Sequence, residues 1–471
     1  MKQIRHRTGA VTEMEQTTAK KNKYEIDMCN GTIMDKLISF SLPLMLSGIL
    51  QLMFNAVDII VIGRFSGSQS LAAVGSTTAL INMFTNLFIG ISLGANVLSA
   101  RFYAAGKDKE MSETVHTAIT LALISGIIMV FVGLIFAKPV LELMDTPDDV
   151  INLSTLYMRI YFMGMPFFML YNYGASILRA VGDTKRPLFY LIVAGIANAG
   201  LNMCLVIIFH LGVAGVAIGT VISQLISSIL VHRCLYRSET SYQLRFSKLK
   251  IQKEYLKQIF QVGIPAGIQS TVINFSNVLL QSSVNSFGSI AMAGYTAANN
   301  IFGFLYVTVN AVTQACMSFT SQNYGVGKWK RMDRVLIDCL ILSFVAMMIL
   351  GNSAYFFGPK LLTIYTSNSK VIQCGMEILL YTTVTYFLCG FMDLFPGALR
   401  GMGRSGVPMI LSIIGTVGTR IVWIFWIFPN HRSLDILFIS YPASWIITIV
   451  LQVICYYFVR KQLYAKMRAE A

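Results

Sequence analysis

Charge is what this sequence has least of: 13% of its 471 residues are Asp, Glu, Lys or Arg, against 55% hydrophobic, and mean hydropathy is +0.63. One water-soluble core cannot hide that much apolar surface, which excludes an ordinary soluble globular protein and requires lipid to take up the excess. Histidine is also scarce, with five isolated residues (His6, His116, His210, His232, His431) and no HExxH, so an integral membrane enzyme of the metallohydrolase kind lacks its signature. No GxxxxGKS or GxxxxGKT occurs, because neither Gly106-Lys107 nor Gly327-Lys328 has a glycine five positions before its Gly, and nucleotide-driven work is unsupported. The eight cysteines form no CxxC and mostly lie in apolar stretches, where they read as small buried residues rather than disulfides or a metal site. Residues 1–30 are polar and hold no apolar h-region, so no cleaved leader is expected and the first apolar helix inserts the chain.

What is present is a series of uncharged apolar runs, such as 117–137, 188–209, 213–231 and 407–428, each long enough to cross roughly 30 Å of hydrocarbon. They must be helices, because a strand would leave its backbone groups unpaired in lipid. We read twelve spans. The formal charge of +15 does not call for nucleic acid, since its placement is one-sided: of 37 Lys and Arg, 30 fall on one side of the membrane, 5 on the other, and Arg159 and Arg420 within spans. That is the positive-inside signature, which puts both termini in the cytoplasm of a multi-pass cell-membrane protein and faces the basic residues toward anionic headgroups. The acidic segment LELMDTPDD (141–149) falls outside on the same topology.

The chain repeats itself at a constant offset of 221 residues. ARFYAAGKDKEM (100–111) matches SQNYGVGKWKRM (321–332), and LRAVGDTKRP (178–187) matches LRGMGRSGVP (399–408). Each half holds six spans, an even number, so the halves enter the membrane in the same orientation. The expected architecture is all-α and integral to the membrane: a polar tail (1–35), a six-helix lobe (36–235), a linker (236–256), a second six-helix lobe (257–460) and a tail (461–471). Two such lobes enclose a central cleft, and rocking one against the other gives alternating access.

Polar side chains inside spans are costly and each needs a reason. Gln51, Asn55 and Asp58 in the first span stand at i, i+4 and i+7, on one helical face expected to point into the protein. At 1.5 Å per residue Asp58 lies about 9 Å inside the end marked by Arg64, Asn202 about 12 Å below His210, and Thr220 about 12 Å in from Gly212. With Asn198, one turn before Asn202, three helices carry oxygen-bearing side chains at one level. One carboxylate with amide and hydroxyl oxygens is a hard set suited to Na+ or a proton; interhelical hydrogen bonding is the other reading of the two asparagines and the threonine. In the second lobe, with the one-residue shift visible between Pro43 and Pro265 for the first span, the corresponding residues are Leu280, Thr419, Trp423 and roughly Tyr441, so the set belongs to the first lobe alone. The second lobe has Asp393, read either as a proton or substrate-cation contact or as the partner of Arg420, with Pro396 expected to kink the tenth span beside it. Asn274, Asn277, Gln281 and Asn285 form a polar stripe on the seventh span, suited to the cleft or to binding helices together.

PLMLSGILQLMFNAVDIIVIGRFSG, LMDTPDDV, YMRIYFMGMPF, the duplicated LRAVGDTKRP and LRGMGRSGVP, and GVAGVAIGTVIS, in this order over 36–460, resemble the MATE (multidrug and toxic compound extrusion) family. The resemblance implies cation-coupled antiport of amphipathic, often cationic organic compounds. It places the coupling ion, Na+ or H+, at Asp58, Asn198, Asn202 and Thr220, with Val216 where a backbone carbonyl contributes. One branch of the family has Asp at the Asn202 position. Another uses acids in the seventh and tenth spans that fall here at Ile273 and Cys389, with Asp393 one turn beyond. No cofactor is implied; the partners are small-molecule substrates and the bilayer, for a monomer. The alternative within the superfamily, a flippase of a lipid-linked precursor, would be expected to line its cleft with several Arg or Lys, and only Arg159 and Arg420 are read within spans.

Overall fold

The computed structural model describes residues 23–144 and 146–470, so most of the expected N-terminal tail lies outside the described residues. Among these, every regular element is helical. Among the described residues nine helices are long and apolar enough to cross a membrane, and a bent pair, Ser369–Thr383 with Tyr386–Gly401, makes a tenth crossing. Two more polar crossings complete twelve: the seventh span, Lys253–Asn285, which carries the Asn/Gln stripe, and the fourth, where Asp148–Met163 and Met165–Ala180 meet at Gly164. Lipid-facing surface is apolar as the hydropathy requires; Ile128, Phe131, Ile135 and Phe136 of the third span all stand exposed.

The repeat is written into the backbone. Gly106 (φ 66°) and Gly327 (φ 69°) turn the chain between the second and third spans of each lobe, and Gly182 (φ 96°) and Gly403 (φ 81°) turn it between the fourth and fifth. A left-handed conformation at both members of each pair, at the same spacing, is the geometry glycine alone adopts without strain. Each lobe has its own apolar core, around Ile62, Phe162 and Tyr173 in the first and around Tyr295, Leu437 and Phe438 in the second.

Three local features depart from the sequence reading. The tenth span bends by 44° between Thr383 and Tyr386, while helix runs unbroken through Pro396. Thr382, Thr383 and Thr385 each return a hydroxyl to the carbonyl four residues back, at 2.6, 2.6 and 2.7 Å, and such back-bonding bends helices. The last helix continues from Leu434 through Glu470 rather than ending in a tail; Arg460 and Tyr464 tie it to Asp333. Arg179 and Arg400, counted above among the connections, belong to helices.

The lobes meet in the half of the membrane nearest the Lys/Arg-rich side, here called the basic face. There the second span runs against the seventh with no side chain between them: a methyl on Gly90 would come within 2.3 Å of the Gly267 nitrogen, and one on Gly94 within 2.2 Å of the Ile259 carbonyl oxygen. Small residues allow this close backbone approach. Ser321 donates to the Val97 carbonyl (2.6 Å), Ser318 to Asn96 (3.1 Å) and Gln322 to the Ala180 carbonyl (2.7 Å), and Arg101 lies 4.6 Å from the Tyr324 ring. Residues 25–31 lie across this seam as a strap. The Glu25 carboxylate accepts from Tyr103 (2.8 Å) and Tyr242 (2.6 Å) of the first lobe. Burial holds the Tyr242 phenol above its ordinary pKa, so it stays a neutral donor. On the second lobe's side, Asn323 donates to the Met28 carbonyl (3.1 Å), Lys328 to that of Cys29 (2.9 Å), and Arg331 to those of Met28, Asn30 and Gly31 (3.2, 3.0 and 2.8 Å).

Candidate ion site and cleft

Asp58 is 8% exposed although it lies in a span whose exterior faces lipid. Gln51 and Asn55 share its helical face but stand exposed; only at the level of Asp58 do the fifth and sixth spans cover that face. There the structure gathers the first-lobe set. One carboxylate oxygen of Asp58 accepts from the Asn202 amide, and the other lies 3.4 Å from the Thr220 hydroxyl. Asn202 also reaches Asn198 Oδ1 (3.3 Å), Asn198 reaches Thr220 (3.4 Å), and Thr220 donates to the Val216 carbonyl at 3.0 Å. A hydroxyl has one proton, so Thr220 serves Val216 or Asp58 but not both. Gly219 makes the packing possible, since a methyl there would meet Asn202 Oδ1 at 2.2 Å.

No Lys, Arg or His pairs with Asp58 among the described residues. Asn202 Oδ1 is buried without a hydrogen-bond partner. A carboxylate and an orphaned amide oxygen, backed by hydroxyl and carbonyl oxygens, form a donor set for a proton or a small hard cation. Tyr157 and Tyr161, with rings 6.0 Å apart, stand within electrostatic reach of Asp58 and were not singled out from sequence; their i, i+4 spacing in YMRIY is the signal that was there.

The equivalent junction in the second lobe contains a cation of its own. Arg420 reaches Ser276 (3.4 Å) and Asn277 (2.8 Å) of the seventh span and Ser444 (3.3 Å) of the twelfth, and lies 4.6 Å from the Tyr441 ring. Fifth, first and sixth helices of the lobe therefore converge on a guanidinium, where in the other lobe they converge on a carboxylate. A π-helical turn, Ile413–Gly418, explains why the constant offset failed to show this. Such a turn takes in one extra residue, so beyond it the offset becomes 222 and the counterpart of Asn198 is Arg420, not Thr419.

Asp393 and Arg420 form no ion pair among the described residues, so the pairing alternative is not realised. Asp393 is half-buried and within electrostatic reach of Arg400, which donates to Gln269 (2.7 Å). Arg179 donates to Gln314 (2.6 Å) across the lobes, and Gln314 to Asn310 (2.5 Å). The seventh-span stripe divides: Asn277 is taken by Arg420, Gln281 binds Asn285 (3.0 Å), and Asn274 is exposed. Tyr306, 46% exposed at mid-depth of the eighth span, joins it on open surface.

The MatE family model matches twice, over residues 43–204 and 265–426, once in each lobe, with starts 222 residues apart. The chain is 29% identical over 434 residues to "Probable multidrug resistance protein YoeA" of Bacillus subtilis, covering 90% of this chain and 93% of that one. It is 23% identical over 380 residues to "Multidrug export protein MepA" of Staphylococcus aureus, covering 80% and 84%. Its fold is similar to a solved structure described as the outward-facing conformation of a multidrug resistance MATE family transporter of the MOP superfamily, with TM-score 0.86 at 20% identity over 95% of this chain and 100% of that chain. With both lobes matched and the fold shared throughout, the chain belongs to the MatE family of multi-pass membrane transporters.

Proposed function

We propose that the protein is an antiporter of the cell membrane that uses Na+ or H+ to drive export of amphipathic, often cationic organic compounds by alternating access. The observation that carries this reading is Asp58: a carboxyl enclosed by neutral donors and oxygens inside the first lobe, with no basic partner among the described residues. Such a group is costly in a membrane unless a proton or cation joins it. An ion that binds better in one arrangement of the lobes than in the other converts its gradient into a change of access. The names of the bacterial relatives support drug-like cargo, and exposed Gln51, Asn55, Asn274 and Tyr306 with half-buried Asp393 offer polar and aromatic contacts for it. The charge asymmetry supports cytoplasmic termini.

The test uses vesicles containing the protein, with a Na+ gradient and a pH gradient imposed separately, and follows a fluorescent cationic dye. Asp58→Asn is expected to abolish gradient-driven transport, whereas Leu280→Ala at the second-lobe counterpart keeps most of it. Undiminished gradient-driven export by Asp58→Asn overturns the reading.

A further inference from the structure

The two copies of the turn between second and third spans share a backbone and differ in chemistry. Lys107 N–H closes on the Phe102 carbonyl at 3.0 Å and Lys328 N–H on the Asn323 carbonyl at 2.9 Å, with Gly106 and Gly327 at the same left-handed φ. In the first lobe this frame presents Lys107, Asp108, Lys109 and Glu110, two charges of each sign. In the second it presents Lys328, Trp329, Lys330 and Arg331, three cations and an indole. A cavity of about 370 Å³ opens there, lined among the described residues by Gly327, Lys328, Trp329, Lys330, Arg331 and Tyr464, none of them a carboxylate. The cavity beside the first-lobe copy is lined by Asp108 and Glu113 as well as lysines.

Among the described residues the cations keep free donors. Lys328 spends two of its three N–H groups on the Cys29 carbonyl and Asn30 Oδ1, and Arg331 spends three of its five on the strap. Among the described residues Lys330 makes no hydrogen bond or ion pair. Two carboxylates lie nearby and both are engaged: Asp333 by Arg460, Tyr456 and Tyr464 at 2.9, 3.0 and 2.8 Å, and Asp27 of the strap by Asn30 at 3.0 Å. Three positive charges around one cavity repel each other, and an anion relieves that.

Depth selects the anion. Among the described side chains of the final helix, the last exposed apolar pair, Tyr457 and Phe458, is followed by Tyr464 about 9 Å further along. That distance carries the cavity past the hydrocarbon edge into the headgroup layer, where an indole and a phenol are at home. We propose that this corner of the second lobe is a binding site for the headgroup phosphate of an anionic phospholipid, held by Lys328, Lys330 and Arg331 with Trp329 and Tyr464 against the glycerol and upper acyl chain.

The test is titration of the purified full-length protein with dioctanoyl-phosphatidylglycerol, dioctanoyl-phosphatidylcholine and inorganic phosphate, with bound species counted by native mass spectrometry. The wild type is expected to bind phosphatidylglycerol in preference to the other two. Lys330→Glu is expected to weaken that binding about thirtyfold, at roughly 1 kcal/mol for each of the two unit charges changed near a membrane surface. Lys330→Gln takes a smaller loss and serves if the charge reversal does not fold. Lys109→Glu, the first-lobe counterpart, is expected to leave binding within about twofold. Equal binding of phosphatidylcholine, wild-type affinity in both Lys330 variants, or an equal loss in Lys109→Glu overturns the site. Inorganic phosphate binding as tightly as the lipid overturns its assignment to a membrane headgroup.

Discussion

At the scale of single residues, the cluster around Asp58 depends on what is missing as much as on what is present. Gly219 leaves room for the Asn202 side chain, and a methyl would intrude to 2.2 Å from its Oδ1. Gly219→Ala is therefore expected to push Asn202 off Asp58, at a stability cost of about 1–3 kcal/mol. Gradient-driven dye efflux should fall about tenfold or more while the helical circular-dichroism spectrum is kept; unchanged efflux would show that Asn202 has no part in coupling. Polar residue type and depth put Asp58, Asn198, Asn202 and Thr220 at one level, where their side chains do meet, because helical rise turns sequence positions into heights within a membrane. The same arithmetic could not place Arg420, since one extra residue in a π-turn leaves no mark in hydropathy and rotates everything after it by about 100°. Nor could it tell that Arg179 and Arg400 stand inside helices, because a basic residue near a span end reads equally well as loop.

At the scale of elements, the strap of residues 25–31 is the part the sequence hid most completely. It has no apolar periodicity, and its fixing groups come from far along the chain: Tyr103, Tyr242, Asn323, Lys328 and Arg331. Hydrogen bonds from side chains to irregular backbone follow no period that a sequence displays. Arg331 makes three of them, so Arg331→Gln should free the strap, and deuterium exchange at residues 26–31 should rise about tenfold for a loss of roughly 1.4 kcal/mol. Unchanged exchange would assign the hold on the strap to the Glu25 contacts instead. The bend of the tenth span carries a related lesson. Proline advertised a kink at 396, whereas the break lies in the threonine run before it, where three hydroxyls compete for helix carbonyls.

At the scale of the whole molecule, the duplication was legible because it is carried by turn motifs with glycines in required conformations, and twelve spans were legible because lipid imposes length and apolarity on each. What the lobes do to one another was not, since contacts between distant helices depend on facing surfaces that no local pattern encodes. Gly94→Val tests that interface. Bulk set against the Ile259 carbonyl should disfavour the closed basic face by about 1–3 kcal/mol, a shift of roughly 5- to 150-fold in the balance of conformations. Spin labels at residues 109 and 330 should report a longer distance distribution than in the parent protein; an identical one would mean that the seam adapts without parting.

Where Gly90 and Gly94 face Gly263 and Gly267, main chain rests on main chain. Side chains trapped at a contact must lose rotamer freedom whenever it forms and regain it whenever it breaks, at up to about 2 kcal/mol for the longest of them. A bare contact has no such toll. In the proposed alternating-access cycle, the second and seventh helices would therefore act as a bearing that engages and releases with little friction beyond the exchange of van der Waals contact for solvent or lipid.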